Sequence, residues 1–387
     1  MKMKKGFLGL VAGATLLMAG CQSGGGKEAK EEQLHMGSMF SLSGPYTAYG
    51  TVQNNAIKLA VEEINEAGGI NGEEVALTDY DIKSDETEAT SIATRLATQD
   101  KVDVIIGADV SSATIAGIQS ANRAKVPMIS PSATDDKTTV NESGEAQPYG
   151  FSIAFRDSYQ GKALASFAEN ELKAKKVAVL ADNSSDYAAG LTKNFKETYG
   201  GEIVAIENFS AGESDFNAVL TRLASHDFDA LFVPGYYEEA GKIVKQAREM
   251  GLDQPIFGPD GFGNEALAEL AGKENMNNIY YTSHFSALSD NPKVKEFMKK
   301  YADKYGQEAD MFAALAYDVV YLIKQVAEEA GSTDAEAIRE GFEKFENFDG
   351  ITGSFRFDEL HNPVKTVNIV EVQNGEEVGV IEVQPES

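Results

Sequence analysis

The sequence predicts an α/β protein built from two doubly wound, Rossmann-like lobes, and three observations carry that reading. Its 387 residues exceed one average domain. From Leu34 onward, short β runs alternate with helical stretches, the order expected of parallel sheets made from βαβ units. One such unit also occurs twice. "VDVIIGADVSSATIAGIQSANRAKVPMISPSAT" and "FDALFVPGYYEEAGKIVKQAREMGLDQPIFGPDG" each run Asp, apolar strand, Gly, polar turn, helix containing a Gly, Arg, X-Pro strand and Pro-containing turn. The period is far too long for a solenoid. Two similar lobes facing each other account for it, although any two βαβ units share part of the pattern.

The elements follow in order. "LHMGSMFSLSG" reads as a strand ending in a turn. "TVQNNAIKLAVEEINEAGG" places Ile57, Leu59, Ala60, Val61 and Ile64 at helical spacing, with Gly68-Gly69 as a stop. "EEVALTDYD" is strand-like, "ETEATSIATRLATQ" helical, "VDVIIG" a buried strand, "TIAGIQSANRAK" helical and "VPMIS" a strand. The order restarts after Phe155. Helices are expected in "YQGKALASFAENELKAK", "AAGLTKNFKETYG", "FNAVLTRLASH" and "EEAGKIVKQAREMG", and strands in "KVAVLAD", "EIVAIENF", "FDALFVPG" and "PIFGPDG".

The N-terminus belongs to another regime. "MKMKK" is basic, and "GFLGLVAGATLLMAG" is an apolar run of about 15 residues, an export signal too short to span a membrane. Cys21, the only cysteine, follows at once. Met18-Ala19-Gly20-Cys21 resembles a lipobox, in which the cysteine is lipidated and becomes the mature N-terminus. Met18 stands where leucine is usual. The stretch "QSGGGKEAKEE" after it can bury nothing and reads as a tether of about 18 Å. Loss of Lys2, Lys4 and Lys5 with the signal takes the net charge from −27 to −30. Such a polyanion repels nucleic acid and anionic lipid alike. The expected protein is therefore exported, lipid-anchored on the extracytoplasmic face of the cell membrane, free of disulfides and monomeric.

In open α/β sheets ligands bind beyond the carboxyl ends of the strands. The turns there are "SLSGPYTAYG" (41–50), "GADVSSAT" (107–114), "SPSAT" (130–134), "DNSSDYAAG" (182–190), "VPGYYEEAG" (233–241) and "GPDGFG" (258–263). They offer hydroxyls, backbone amides and tyrosines with few charges. Serines and glycines ahead of helices present N–H groups carrying partial positive charge, suited to an anion. The second lobe's turns offer Tyr187, Tyr236 and the acid Asp260. A carboxylate held on one side and an ammonium on the other describe an α-amino acid.

Other chemistries find little support. His35, His226, His284 and His361 are never within helical reach of one another. No H-E-x-x-H, C-x-x-C, P-loop or G-x-S-x-G occurs. "GFGNEA" fits a loose dinucleotide pattern, but an acid precedes it where pyrophosphate would lie. "DYDIKSDETE" lacks the glycine of a calcium loop and has Lys83 at the third ligand position. A binding protein with neither cofactor nor metal is the expectation; an enzyme or a sensory module is the alternative.

At these turns the sequence resembles the substrate-binding proteins of branched-chain amino acid ABC transporters, the Leu/Ile/Val-binding family of type I periplasmic-binding-protein fold. The likeness covers residues 34–384, through "LSGPYTAYG", "AVEEINEAGGINGEEV", "DYDIKSD", "SSAT", "ISPSAT", "VPGYYEEAG", "QAREMGL", "GPDGF" and "FAALAYDVVYLI". It implies two lobes joined by three hinge crossovers near Phe155–Asp157, Thr282–His284 and Gly353–Phe355. The implied organisation is a signal peptide (1–20), a tether (21–33), one lobe of 34–155 plus 284–352, and another of 156–283 plus 353–387. It also implies closure on an aliphatic amino acid and delivery to an ABC transporter permease. By motif, Ser111 and Thr134 would take the ligand carboxylate, and a carbonyl of the Ser132-Ala133-Thr134 turn would take the ammonium. Tyr49 would wall the side-chain pocket, Tyr187 would close over the ligand and Tyr236 would follow Gly235 into the site. Asp260 would pair with the ammonium, and Phe312 would approach the pocket. Each has a plainer role open to it. Ser111 and Ser132 could cap helices, the tyrosines could be half-buried packing, and Asp260 could cap "GNEALAELAG", although Asn264 is better placed for that. Another neutral amino acid or an amide remains an alternative ligand.

Overall fold

Each strand-like run read from Leu34 onward becomes a strand of one of two sheets. The structure is a computed structural model describing residues 33–383; Cys21, the export signal and nearly all of the tether fall outside the described residues. The first sheet draws on β1 (His35–Phe40), α1 (Thr47–Glu66), β2 (Ala76–Asp81), α2 (Glu86–Arg95), β3 (Val104–Gly107), α3 (Ser111–Ala124), β4 (Met128–Ser130) and β5 (Gly150–Ser152). Its strands are parallel in the order β2-β1-β3-β4-β5. Helix α1 begins at Thr47, four residues before the apolar periodicity predicts. Gly50 permits this, because a Cβ there would sit 2.1 Å from the Ser41 carbonyl oxygen at the end of β1. The early start draws Tyr49 out of the expected turn and into the first helical turn, where it is buried.

The second sheet draws on α4 (Asp157–Asn170), β6 (Lys176–Asp182), α5 (Asp186–Thr198), β7 (Glu202–Phe209), α6 (Asn217–Ala224), β8 (Ala230–Phe232), α7 (Tyr237–Glu249), β9 (Ile256–Gly258), α8 (Glu265–Ala271) and β10 (Ile279–Ser283). Its parallel part runs β7-β6-β8-β9-β10. Counted along the chain, both sheets therefore share one order: second, first, third, fourth, fifth. The two similar stretches of sequence are β3–α3–β4 and β8–α7–β9, the third and fourth strands of each lobe.

The chain then returns to the first lobe with α9 (Pro292–Tyr305), α10 (Met311–Ala330) and α11 (Ala335–Lys344). Helix α10 packs along α1, and the hydroxyls of Tyr301 and Tyr305 on α9 donate to the carbonyls of Val52 and Asn55 on α1 at 3.2 and 2.8 Å. The short pair β11 (Phe348–Gly350) and β12 (Gly353–Phe355) is pinned to α10 by Asp318. Its carboxylate accepts from the amides of Ile351 and Thr352 at 2.9 and 2.8 Å. Finally β13 (Val367–Gln373) and β14 (Glu376–Val383) add an antiparallel hairpin to the second sheet, β13 against β10.

One expected position moves. Gly353–Phe355, predicted to carry the third crossing, forms β12 instead, and the chain stays with the first lobe beyond it. The His361 ring stacks on Phe151 of β5 with centroids 4.3 Å apart, and Asn362 accepts from the Thr139 hydroxyl at 2.6 Å. The passage to the second sheet falls between Asn362 and Val367. Stacking and the buried hydrogen bond hold His361 and Asn362 on the first lobe, while Gly353–Phe355 pairs with β11.

Candidate ligand-binding site

A small cavity, nearly filled by its own side chains, lies beyond the carboxyl ends of β3 and β4 on one lobe and β8 and β9 on the other. In each sheet this is beside the point where strand order reverses. Eight of the nine ligand-site residues expected from sequence line it: Tyr49, Ser111, Ser132, Thr134, Tyr187, Tyr236, Asp260 and Phe312. Ala133 is buried in the same turn as Ser132, and its carbonyl accepts from the Ser152 hydroxyl at 2.9 Å. A wider groove of about 1260 Å³ between α9, α10 and β11 is open to solvent, and its rim carries Lys293, Lys300, Lys324 and Glu328. It gathers no comparable set of buried polar side chains, so the smaller cavity is the candidate site.

On the first lobe, Ser111 opens the 14-residue helix α3, and the residue before it, Val110, makes no side-chain cap. The amides of the first turn thus lack intrahelical partners and point their partial positive charge beyond the strand end. Neither expected serine serves as a helix cap. The Ser111 hydroxyl accepts from the Asp135 amide at 3.2 Å. The Ser132 hydroxyl lies 3.0 Å from both the Gln53 side-chain oxygen and the Asp109 carbonyl, to which it donates.

On the second lobe, Asp260 is 2% exposed. Its Oδ1 accepts from the Tyr187 hydroxyl at 2.6 Å, and its amide donates to Gln160 Oε1 at 2.7 Å. Asp260 caps no helix; Asn264 does so for α8, accepting from the Ala266 amide at 2.9 Å. Another neighbour of the Asp260 carboxylate is His284, whose Nε2 lies 3.8 Å from Oδ2. Burial, aided by the Lys365 charge, pushes the His284 pKa down to about 4. At neutral pH that ring, stacked on Phe155 at 3.6 Å, brings no positive charge. Burial and the nearby Asp260 hold the Asp157 carboxyl well above its usual range. A buried carboxylate with one phenolic donor and, among the described residues, no cation beside it is incompletely compensated.

Aromatic rings close the space between these ends. Tyr49 packs against Phe312 and Tyr237 with centroids at 4.6 and 4.8 Å, and Tyr187 stacks on Tyr236 at 4.8 Å. The Tyr49 hydroxyl donates to the Gly261 carbonyl and accepts from the Tyr237 amide at 3.1 Å. The Tyr237 hydroxyl donates to the Pro45 carbonyl at 2.7 Å. These bonds run from one lobe to the other, so the lobes are closed on each other. Burial pushes the phenols of Tyr49, Tyr187 and Tyr236 well above their ordinary pKa, which keeps them neutral donors.

Four contributors escape the sequence reading: Asp109, Gln160, Gly261 and His284. Asp109 stands two residues before Ser111 in the quoted turn "GADVSSAT", so its place at a strand end is a usable signal. Gln160 reaches Asp260 only through the packing of α4 beside β9, which no local pattern announces.

Comparison with known proteins agrees with the fold. A family model described as "Periplasmic binding protein" matches residues 33–377, and the chain belongs to that family. Within it, the chain resembles branched-chain amino acid substrate-binding proteins of ABC transporters. The Streptococcus pneumoniae substrate-binding protein LivJ, solved in complex with isoleucine, is 45% identical with a TM-score of 0.87, over 92% of this chain and 100% of that one. The Thermotoga maritima leucine-binding protein LivK is 32% identical with a TM-score of 0.81, over 90% and 98%. A leucine-, isoleucine-, valine-, threonine- and alanine-binding protein of Pseudomonas aeruginosa is 30% identical, over 82% of this chain and 84% of that protein. Among the described residues, no helix is long and apolar enough to cross a membrane.

Proposed function

We propose that the protein captures an aliphatic, branched-chain amino acid between its two lobes and delivers it to an ABC transporter permease. The observation that carries this is Asp260, a buried carboxylate facing a small cavity with a tyrosine donor but no cation. The ligand's ammonium completes it, and the ligand's carboxylate meets the first turn of α3 and the hydroxyls of Ser111 and Thr134. Charge-assisted hydrogen bonds at the two poles, about 1.5–3 kcal/mol each, offset much of the desolvation of a zwitterion. Burial of a branched side chain against Tyr49, Tyr236 and Phe312 adds about 1.5–3 kcal/mol. No bond is made or broken. Closure changes the outer surface, and a permease distinguishes closed from open lobes by that change.

Within this reading the crossovers near Phe155–Asp157 and Thr282–His284 act as hinges, joined by a third between Asn362 and Val367. One lobe comprises 34–155 and 284–362, the other the remainder from Asp157. The lipobox-like Met18–Cys21 anchors the body at the extracytoplasmic face by lipid on Cys21. Mass spectrometry of the mature N-terminus should find a lipidated cysteine, and an unmodified Cys21 would remove the anchor. For the ligand, melting shifts across the twenty amino acids should be greatest for leucine, isoleucine and valine. A panel without any shift would end the amino-acid reading.

A further inference from the structure

The Gln160 carboxamide ties the candidate site to two of the chain's crossings between lobes. Gln160 lies in the first turn of α4, just after the crossing near Phe155–Asp157, and is fully buried. Its Oε1 accepts from the Asp260 amide at 2.7 Å and from the hydroxyl of Thr282, in the crossing near Thr282–His284. A backbone N–H can only donate, so the Asp260 contact fixes which end of the carboxamide is oxygen. Nε2 is left to face Asp157, whose Oδ1 accepts from it at 3.4 Å. The Asp157 amide in turn donates at 2.8 Å to the carbonyl of Thr134, which lines the first lobe's side of the cavity. A continuous hydrogen-bonded path thus runs Thr134–Asp157–Gln160–Asp260, and its ends are the residues expected at the two poles of the ligand. Neither Gln160 nor Thr282 lines the cavity. Leaving a buried amide without its acceptor is costly, so Gln160 holds the Asp260 turn in place.

We propose that Gln160 is a positioning residue for ligand capture: it sets the Asp260 carboxylate where the ligand's ammonium arrives, and through Thr282 and Asp157 it keeps that turn in register with the two crossings. This rests on the amino-acid reading above and deepens it. Gln160 acts through Asp260 rather than on the ligand. Its effect on affinity therefore depends on the Asp260 carboxylate being present. A residue that merely supports the fold would weaken binding with or without that carboxylate.

The test is a double-mutant cycle, read by titration calorimetry of the purified whole chain with leucine. Gln160→Met, close in volume but without the carboxamide, should lower leucine affinity about tenfold in the parent, the size expected when a buried amide is left unpaired. In an Asp260→Ala background the same substitution should cost less than about threefold. Thr282→Val removes one donor to Gln160 outside the cavity; it should cost roughly fivefold alone and little on top of Gln160→Met. If the methionine variant does not fold, Gln160→Asn, polar but one methylene too short to keep these bonds, takes its place. A loss of equal size with and without the Asp260 carboxylate, or affinity within about twofold of the parent's in the folded Gln160 variants, overturns the proposal. Additive losses from Thr282→Val and Gln160→Met overturn its link to the second crossing. An Asp260→Ala protein that binds leucine as tightly as the parent would instead remove the ammonium from Asp260, and with it the reading on which the proposal rests.

Discussion

Asp260 and His284 lie side by side in the interior, and their chemistry differs from that of an exposed pair. The histidine is held neutral by burial, so the carboxylate depends on Tyr187 and on what enters the cavity. Asp260→Ala should weaken leucine binding about 100-fold in calorimetry, while Tyr187→Phe, which removes one neutral donor, should cost about tenfold. Unchanged affinity in the alanine variant would remove Asp260 from the site. The histidine makes a separate, pH-dependent prediction. Its folded pKa, about 4, lies below the usual value of 6.5, so the stability associated with its neutral form is present above pH 6.5 and lost as pH falls toward 4. A His284→Phe variant, able to keep the stacking on Phe155, should gain on the parent across that window in melting experiments. A constant difference in melting temperature from pH 7 to pH 4 would contradict it. At this scale the turns are legible in the sequence because hydroxyls, glycines and acids at strand ends have few structural reasons to cluster. Gln160 and His284 are not, since each acts through a partner roughly 24 to 100 residues away along the chain.

Among the elements, α1 shows how one small residue places another. Gly50 lets the first helical turn sit on Ser41, and that turn carries Tyr49 to the inter-lobe contact. Gly50→Ala forces backbone against backbone and should cost about 1–3 kcal/mol in chemical denaturation, with weaker ligand binding as Tyr49 is displaced. A variant as stable as the parent and equally tight would show that α1 tolerates the shift. The periodicity of "NAIKLAVEEI" is readable as a helix, but its true start is not, because the first turn owes its position to a missing Cβ. The C-terminal hairpin carries a local signal of its own. Asn374 and Gly375 both adopt positive φ, 54° and 77°, between β13 and β14, and Asn-Gly between alternating apolar residues is a strong hairpin mark. Segment 356–362, by contrast, carries no local sign of its lobe, because its place is decided by stacking on Phe151.

For the whole molecule, the shared strand order of the two sheets explains why a repeat is visible in the amino-acid sequence alone: the repeated unit is the one that builds each half of the cavity. Closure joins the halves through polar contacts that include Tyr49 to Gly261, Tyr237 to Pro45, Asn264 to Asp310 and the Lys137–Asp186 ion pair. Tyr49→Phe should therefore favour the open form, lowering ligand affinity by roughly fivefold, as expected for loss of about 1 kcal/mol of net hydrogen bonding. Small-angle scattering should then show a larger radius of gyration for the unliganded variant, and an identical profile and affinity would show that the contact does not bias closure. The most direct measurement is a crystal structure of the protein with isoleucine. The account predicts the ammonium within hydrogen-bond distance of the Asp260 carboxylate and the carboxylate on the first turn of α3. Isoleucine bound with Asp260 turned away from its ammonium, or lodged outside this cavity, would contradict it.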